Sequence, residues 1–377
     1  MPPVMRGSRR PWRTSCSHQG ESFQPRVSMN EAHAPAGPWQ RRITLARRAA
    51  IAIGLLIVAV LVVFSLERPN SAASPAAAPA SPSRLAGLAA KPHLVFRHTG
   101  VDTNYSALSV AAIDGAGVHD RAAASLACER VSFSRERGIC LQADRGVFTS
   151  YKAAIFDRGF NIVRTFKLDG SPSRTRVSPD GRVGTITVFV GKDLGYTSST
   201  FSTRTLLIDM ASGDVLTDLE QFTTWRNGAR FKGADFNFWG VTFARDSNVF
   251  YASLRSQATT YLVRGDLGLR KLTVLHENVE CPSLSPDNRL IAFKKRVGPQ
   301  PEAWRLYVLD LATMNERPVA AETRFIDDQA EWLDDAHVLY GVPRQGTATT
   351  DAWLAPIDGA GPARVFLEEA ESPIVVR

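Results

Sequence analysis

Five histidines lie beyond residue 90: His93, His98, His119, His276 and His337. No two of them form His-x-His or His-Glu-x-x-His, the spacings that set two imidazoles on one face to share a metal ion. No metal site and no cofactor is expected. The acids include two adjacent pairs, Asp327/Asp328 and Asp334/Asp335, around one short apolar run. Two carboxyls so placed could divide general-acid and general-base work, but solvated strand ends are the simpler reading and the one adopted. A Gly-x-Ser-x-Gly elbow is absent. So is the Ser-x-Asp-x-Gly-x-Thr-Trp box that Ser178-Pro179-Asp180-Gly181 superficially suggests. No catalytic residue is assigned, and the chain is expected not to be an enzyme.

The cysteines and one aromatic-rich stretch are the remaining candidates. Cys16 precedes a long apolar run, and Cys128, Cys140 and Cys281 follow it. In an oxidising compartment pairing is expected, with one thiol left over. Cys128 and Cys140 are closest in sequence. A hairpin centred on Glu136 sets Cys140 near Phe133 and leaves Cys128 ~17 Å further along at strand rise. Bridging needs Cα atoms within ~7 Å, so the chain before Phe133 would have to fold back; the pairing stays open. Between Phe222 and Gly240, the aromatics Phe222, Trp225, Phe231, Phe236, Phe238 and Trp239 alternate with Arg226, Arg230 and Lys232. Trp and Arg are common interface anchors. Trp225, Arg226, Arg230, Lys232 and Trp239 are therefore taken as a candidate binding face, the other aromatics packing the insertion on itself. A carbohydrate would also suit such aromatics.

What must position these residues is a repeat. Five copies share an apolar residue, a small turn and an acid at fixed offset: Ser132–Glu136, Arg176–Asp180, Thr242–Asp246, Ser283–Asp287 and Glu331–Asp335. Pro179 and Pro286 preset φ, Asp180 and Asp287 can bond the turn backbone, and Gly181 or Asn288 suits the next position. Apolar runs rich in β-branched and aromatic residues follow, as in strands. A second marker, an apolar strand ending in Asp, recurs at Asp114, Asp157, Asp209, Asp266, Asp310 and Asp358, with spacings of 43, 52, 57, 44 and 48. Such spacings suit four short strands per unit. The first unit lacks its first strand, and Pro373–Val376 is a strand without a unit. Joining the two closes a ring, so residues 93–377 are expected to form an all-β, six-bladed propeller with N-/C-terminal strand closure. Two insertions, Gly191–Thr203 and Phe222–Gly240, should rise together beside the mouth of its channel.

The turns Ser178-Pro179-Asp180-Gly181 and Ser285-Pro286-Asp287-Asn288, with apolar residues on both sides, resemble the repeat of the TolB-like propeller family. The resemblance covers roughly residues 93–377. No Gly-His and Trp-Asp pair recurs, so the chain does not resemble the WD-repeat family. The resemblance implies an extracytoplasmic propeller that binds other proteins of the cell envelope. The chain departs from that family in having no α/β domain before the blades, which leaves the resemblance a statement about the propeller.

Ahead of the repeats, Ala49–Leu66 contains no charge and would be ~27 Å long as a helix, close to the hydrocarbon thickness of a bilayer. Arg41, Arg42, Arg47 and Arg48 precede it. The positive-inside rule places a disordered tail, 1–48, in the cytoplasm and the propeller outside, with 49–66 as a single transmembrane signal-anchor. Cleavage after the run, near Ser71–Ala73, is the alternative, and Met29 is an alternative start. Residues 67–92, rich in Pro, Ala and Ser, read as a disordered stalk. Residues 1–48 hold nine arginines and two glutamates, so almost all of the net charge of +8 falls there. The remainder is nearly neutral, which argues against a nucleic-acid partner. The expected function is a membrane-anchored, non-catalytic module that binds an envelope protein or peptide. The alternative is a propeller hydrolase or lyase acting on cell-wall glycan or a secreted substrate.

Overall fold

A computed structural model describes residues 80–114, 117–191, 201–298 and 304–377. The chain divides into two units, 1–70 and 71–377, and all the described residues belong to the second. The apolar run 49–66, the tail 1–48 and the first part of the proposed stalk lie outside the described residues. No helix among those described is long and apolar enough to cross a membrane.

The described strands form six sheets in a ring, antiparallel but for one added strand in blade 4, each with its inner strand toward a central axis. Blade 2 runs through Arg130–Ser134, Arg137–Arg145, Thr149–Asp157 and Ile162–Leu168, from inner to outer edge. Blade 3 follows with Ser171–Val177, Val183–Val190, Ser202–Asp209 and Val215–Asp218, and blade 4 with Asn237–Phe243, Val249–Ser256, Thr259–Asp266 and Lys271–Glu277. Blade 5 comprises Glu280–Leu284, Leu290–Arg296, Trp304–Asp310 and Glu316–Pro318. Blade 6 comprises Glu331–Trp332, His337–Pro343, Thr350–Pro356 and Arg364–Leu367. Blade 1 is composite. Its inner strand, Ala370–Val376, pairs with His93–His98, and Ala107–Asp114 and Gly117–Ala127 complete it. The expected closure of the ring by the chain's last residues is thus observed, and it leaves no inner strand unpaired.

The repeated acids are structural. In blade 3, the Ser178 hydroxyl donates to Asp180 at 2.6 Å and accepts from the Val183 amide, while Asp180 accepts from Arg182. Ser285 and Asp287 repeat this in blade 5. The next position has φ of +75° at Gly181 and +65° at Asn288. Glycine and asparagine reach that left-handed region most cheaply. The turns also tie blades together: the Asp180 amide donates to the Ser247 hydroxyl, and the Asp287 amide to Asp335. The strand-ending aspartates Asp209, Asp310 and Asp358 accept backbone amides of the turns that follow. Both kinds of turn lie on one face, called the bottom; the remaining loops form the top.

Two segments differ from expectation. The end of the proposed stalk is ordered: Pro82–Ala89 forms a helix, α1, with Ser81 capping its first turn and Pro82 at its start. Leu85 is buried against blade 1. A run of Pro, Ala and Ser can do this because Leu85, with Leu88 beside it, has the apolar face of blade 1 to cover. The aromatic insertion does not rise beside the channel. Thr223–Arg226 instead pairs in parallel with Lys271–Glu277, the outer strand of blade 4, and Ala229–Arg230 folds back on it. The insertion extends a blade edge to six strands.

Candidate functional site

The proposed binding residues are spread apart by this arrangement. Trp239 is fully buried in the inner strand of blade 4, among Phe189, Phe201, Cys281 and Trp304. It offers nothing to solvent, and it is withdrawn from the binding face. Trp225 and Arg226 are half-buried, whereas Arg230 and Lys232 are exposed. Arg226 is held by Glu277 at 2.6 Å and lies over the Tyr261 ring, and Arg230 lies over Trp225. These contacts fasten a hairpin to the outer rim of blade 4. Residues 192–200 of the other insertion lie outside the described residues.

The chemistry gathers in the channel. Asp327 and Asp328, read from sequence as solvated strand ends, belong to the connection that crosses the top from blade 5 to blade 6. Asp327 accepts a hydrogen bond from Lys294 at 2.5 Å, and the Lys294 side chain is almost fully buried. Lys294 also lies 4.2 Å from the centroid of the Trp304 ring. Asp327 keeps about a third of its side chain accessible. Burial opposes its ionisation, but Lys294, Arg174 and Arg130 outweigh that and hold its carboxyl below the ordinary range. Asp328 shifts the other way. Burial dominates, Glu371 adds to it, and Arg174 and Arg130 only partly compensate, so its carboxyl is pushed up. Asp328 also accepts the amides of Gln329 and Gly341. Asp334 and Asp335 do behave as solvated turn residues.

Across the ring, Glu371 of the closing strand receives Arg97 at 2.8 Å and Arg130 at 2.9 Å. Arg97 further donates to the Cys128 carbonyl and the Ser106 hydroxyl. Burial works against Glu371, yet these arginines keep its carboxyl low. In blade 5, Glu280 pairs with Arg296, which lies over Trp304.

Below this cluster the channel is shut. Arg176 of blade 3 and Glu331 of blade 6, on opposite sides of the ring, meet at 2.5 Å with both side chains mostly buried. Gln329 reaches the carbonyls of Val241 and Pro282 on two other inner strands. A cavity of about 30 Å³ above the bridge is lined by Arg130, Arg174, Asp328 and Gln329. Another, of about 240 Å³, opens below it among the bottom turns. On the top, a cleft of about 720 Å³ between blades 5 and 6 is lined by Arg305, Arg324, Phe325, Arg344, Asp351 and Trp353. Glu322 grips Arg324, which stacks 3.7 Å over Trp353. Asp351 grips Arg344. Arg305 donates to the Trp304 carbonyl and has no carboxylate partner among the described residues. Phe325 joins cleft to channel by packing on Trp304.

No histidine lines these three cavities. His98, Asp102 and Glu369 converge at the top of blade 1 in a grouping that could hold a cation, although Arg121 already pairs with Glu369 at 2.9 Å. Cys128 and Cys140 are joined, their Cα atoms 5.3 Å apart; the hairpin sets Cys140 opposite Val131 rather than near Phe133, and the Cys128 carbonyl accepts from Arg97. Cys281 is free and buried.

No family model matches the chain, and no curated protein does. Solved structures do. TolB from Acinetobacter baumannii superposes with a TM-score of 0.50 at 15% identity, over 75% of this chain and 66% of that one. The fold is that of a TolB-like propeller. A putative TolB from Agrobacterium tumefaciens gives a TM-score of 0.45 at 10% identity, over 74% and 89% of the two chains. A chain of a nidogen/laminin complex gives 0.50 at 11%, over 76% and 98%. The TolB-like propeller spans about two thirds of the Acinetobacter chain. At such identities the likeness concerns fold alone, and it leaves function to the site.

The upper channel was hidden in the sequence because its members come from all around the ring. Arg97, Arg130, Arg174, Lys294, Asp327 and Glu371 have no spacing in common. The signal that could have found it was charge following an apolar run within a strand: Lys294 follows Leu290–Phe293, and Arg97 follows Leu94–Phe96.

Proposed function

We propose that the propeller is a binding module whose ligand, an acidic peptide segment of another envelope protein, docks on the top mouth between the channel and the cleft of blades 5 and 6. The cleft between blades 5 and 6 carries this reading: about 720 Å³ on the top face is room for a peptide segment, whereas the Arg176–Glu331 bridge shuts the channel and the space above it is only about 30 Å³. The walls agree in chemistry. Phe325, Trp353 and the Arg324 guanidinium give flat surfaces for apolar contact, and Arg305 supplies a cation that lacks a carboxylate partner among the described residues. Arg and Trp at the centre of a recess are typical anchors of recognition. Lys294, buried in its pair with Asp327, offers the ligand no free charge. In this reading the protein sits outside the cytoplasm on a single membrane anchor, and the TolB-like fold supports a partner of the envelope.

Fluorescent peptides rich in Asp and Glu, compared with Lys-rich peptides of equal length, test this. Acidic peptides should bind, lose affinity as salt rises, and bind about tenfold more weakly to Arg305→Ser with Arg344→Ser. Equal binding of both peptides, or no effect of the substitutions, would contradict it.

One observation favours the enzyme alternative. Asp327 and Asp328 are neighbours whose environments drive their carboxyls in opposite directions, as an acid and a base require. A glycosidase or lyase assay on cell-wall fragments decides: turnover abolished by Asp328→Asn would replace the binding reading.

A further inference from the structure

Where the ring closes, the top of blade 1 gathers metal-ligating groups from separate stretches of chain. His98 ends the strand that pairs with the closing strand, and Asp102 lies in the loop that follows. Glu369 stands in the hairpin between Arg364–Leu367 and Ala370–Val376. One donor atom from each of these residues lies within 4.8 Å of the other two. The His98 side chain is only 5% exposed, and its Nε2 is 3.1 Å from both oxygens of Asp102.

A further observation points to an occupant. Gly100 lies against the donors: a Cβ there would stand 2.6 Å from His98 Nε2 and 2.9 Å from the Glu369 carboxylate. Gly100 does not have the left-handed φ that would call for glycine. What it supplies is room between the donors. They are also held from behind. The Asn104 amide donates to Asp102 at 2.7 Å, the Glu369 amide donates to Asp351 at 2.8 Å, and the His98 carbonyl accepts from Ser106. Outer partners of this kind orient the ligands of a metal. The cation now beside Glu369 is Arg121, at 2.9 Å, on a side chain 43% exposed. So solvated a partner contributes little and is readily displaced.

We propose that His98, Asp102 and Glu369 bind a divalent transition-metal cation, zinc by the character of the donors, that latches the closure of the ring. One imidazole with two carboxylates suits zinc, whose remaining position goes to water. Calcium takes about 6–8 oxygens and has no use for the imidazole. Donors on one zinc ion lie ~3.3 Å apart, so the grouping needs a small contraction, by rotation of Asp102 and Glu369, with Arg121 swinging into solvent. The ion would tie His98 to Glu369 across nearly the whole propeller, and a clip over so long a loop gains most from closure entropy. Spacing alone could not show such a site, since Glu369 comes from the far end of the chain. The inference goes beyond the binding reading and does not rest on it.

The test is calorimetric titration of the full chain with zinc chloride, in detergent and after stripping with EDTA, followed by thermal unfolding. A single equivalent should bind and raise the unfolding midpoint by about 4 °C at zinc about 100-fold above the dissociation constant. Asp102→Asn, at a half-exposed position, should lose at least about tenfold in affinity, and His98→Gln should lose the binding. Arg121→Ala should bind more tightly than the parent, because the competing cation is gone; an ion-pair cluster without a metal role would show no such gain. Zinc binding unchanged in both Asp102→Asn and Glu369→Gln overturns the site, whatever becomes of His98→Gln. So does the absence of zinc binding in both the parent and Arg121→Ala. Calcium bound in preference to zinc, and still bound by His98→Gln, overturns the assignment of the ion.

Discussion

Arg176 and Glu331 belong to opposite blades, yet their side chains touch, and little water reaches either. Removing one partner of so enclosed a pair strands the other's charge. Arg176→Met should therefore cost about 3–5 kcal/mol. Arg176→Met with Glu331→Leu should cost less than either single change, because no charge is left without a partner. Urea unfolding of the three variants measures the coupling. Asp328 makes a prediction with a definite sign. Its carboxyl binds its proton more tightly folded than unfolded. That stability is present at acid pH and drains away as pH rises from the ordinary carboxylate range through the raised folded value. Asp328→Asn cannot titrate, so its stability deficit against the parent should shrink across that rise. Asp327 and Glu371 act in the opposite sense, being depressed when folded. Their contribution is full above the ordinary carboxylate range and is lost as pH falls below it. Denaturation midpoints across acid and neutral pH separate the two effects.

At the scale of elements, the Cys128–Cys140 bond closes a loop of 12 residues between blades 1 and 2. Loops of that size give up about 2–3 kcal/mol of stability when opened. Cys128→Ser with Cys140→Ser should lower the midpoint of thermal unfolding accordingly, and a reductant should do the same to the parent protein. The strands and turns were legible because each is local. Pro179, Asp180 and Gly181 name a turn by themselves, and the strand-ending aspartates recur at blade spacing. The disulfide stayed open at that level because it hangs on the hairpin register, which sets Cys140 opposite Val131, three residues from Cys128 and not five. The insertion was misplaced for a related reason. Trp225, Arg226 and Arg230 have the composition of an interface, but the outer strand of blade 4 lies beside them as an unpaired edge, and edge pairing claims them first. Composition shows what a segment can bind; only the sheet shows what has already bound it.

At the scale of the whole molecule, the ring was readable from six aspartates and one orphan strand, while its centre was not. A propeller channel is built from one or two residues per blade, so its members are as far apart in sequence as blades are. Lys294 and Arg97 were visible only as charges following apolar runs, and Asp327 and Asp328 were assigned to the surface because a connection between blades looks like any solvated loop. The closed waist and the arginine-lined cleft both follow from that circular arrangement, and together they give the top face its recess.

The most direct test of the binding reading is in-cell photo-crosslinking from three positions. A probe at Phe325 samples the top mouth, one at Trp225 the hairpin on the rim of blade 4, and one at Asn288 the bottom turns. The account predicts a discrete adduct with an envelope protein from Phe325, and only background from the other two. An adduct from Trp225 or Asn288, with none from Phe325, would contradict it.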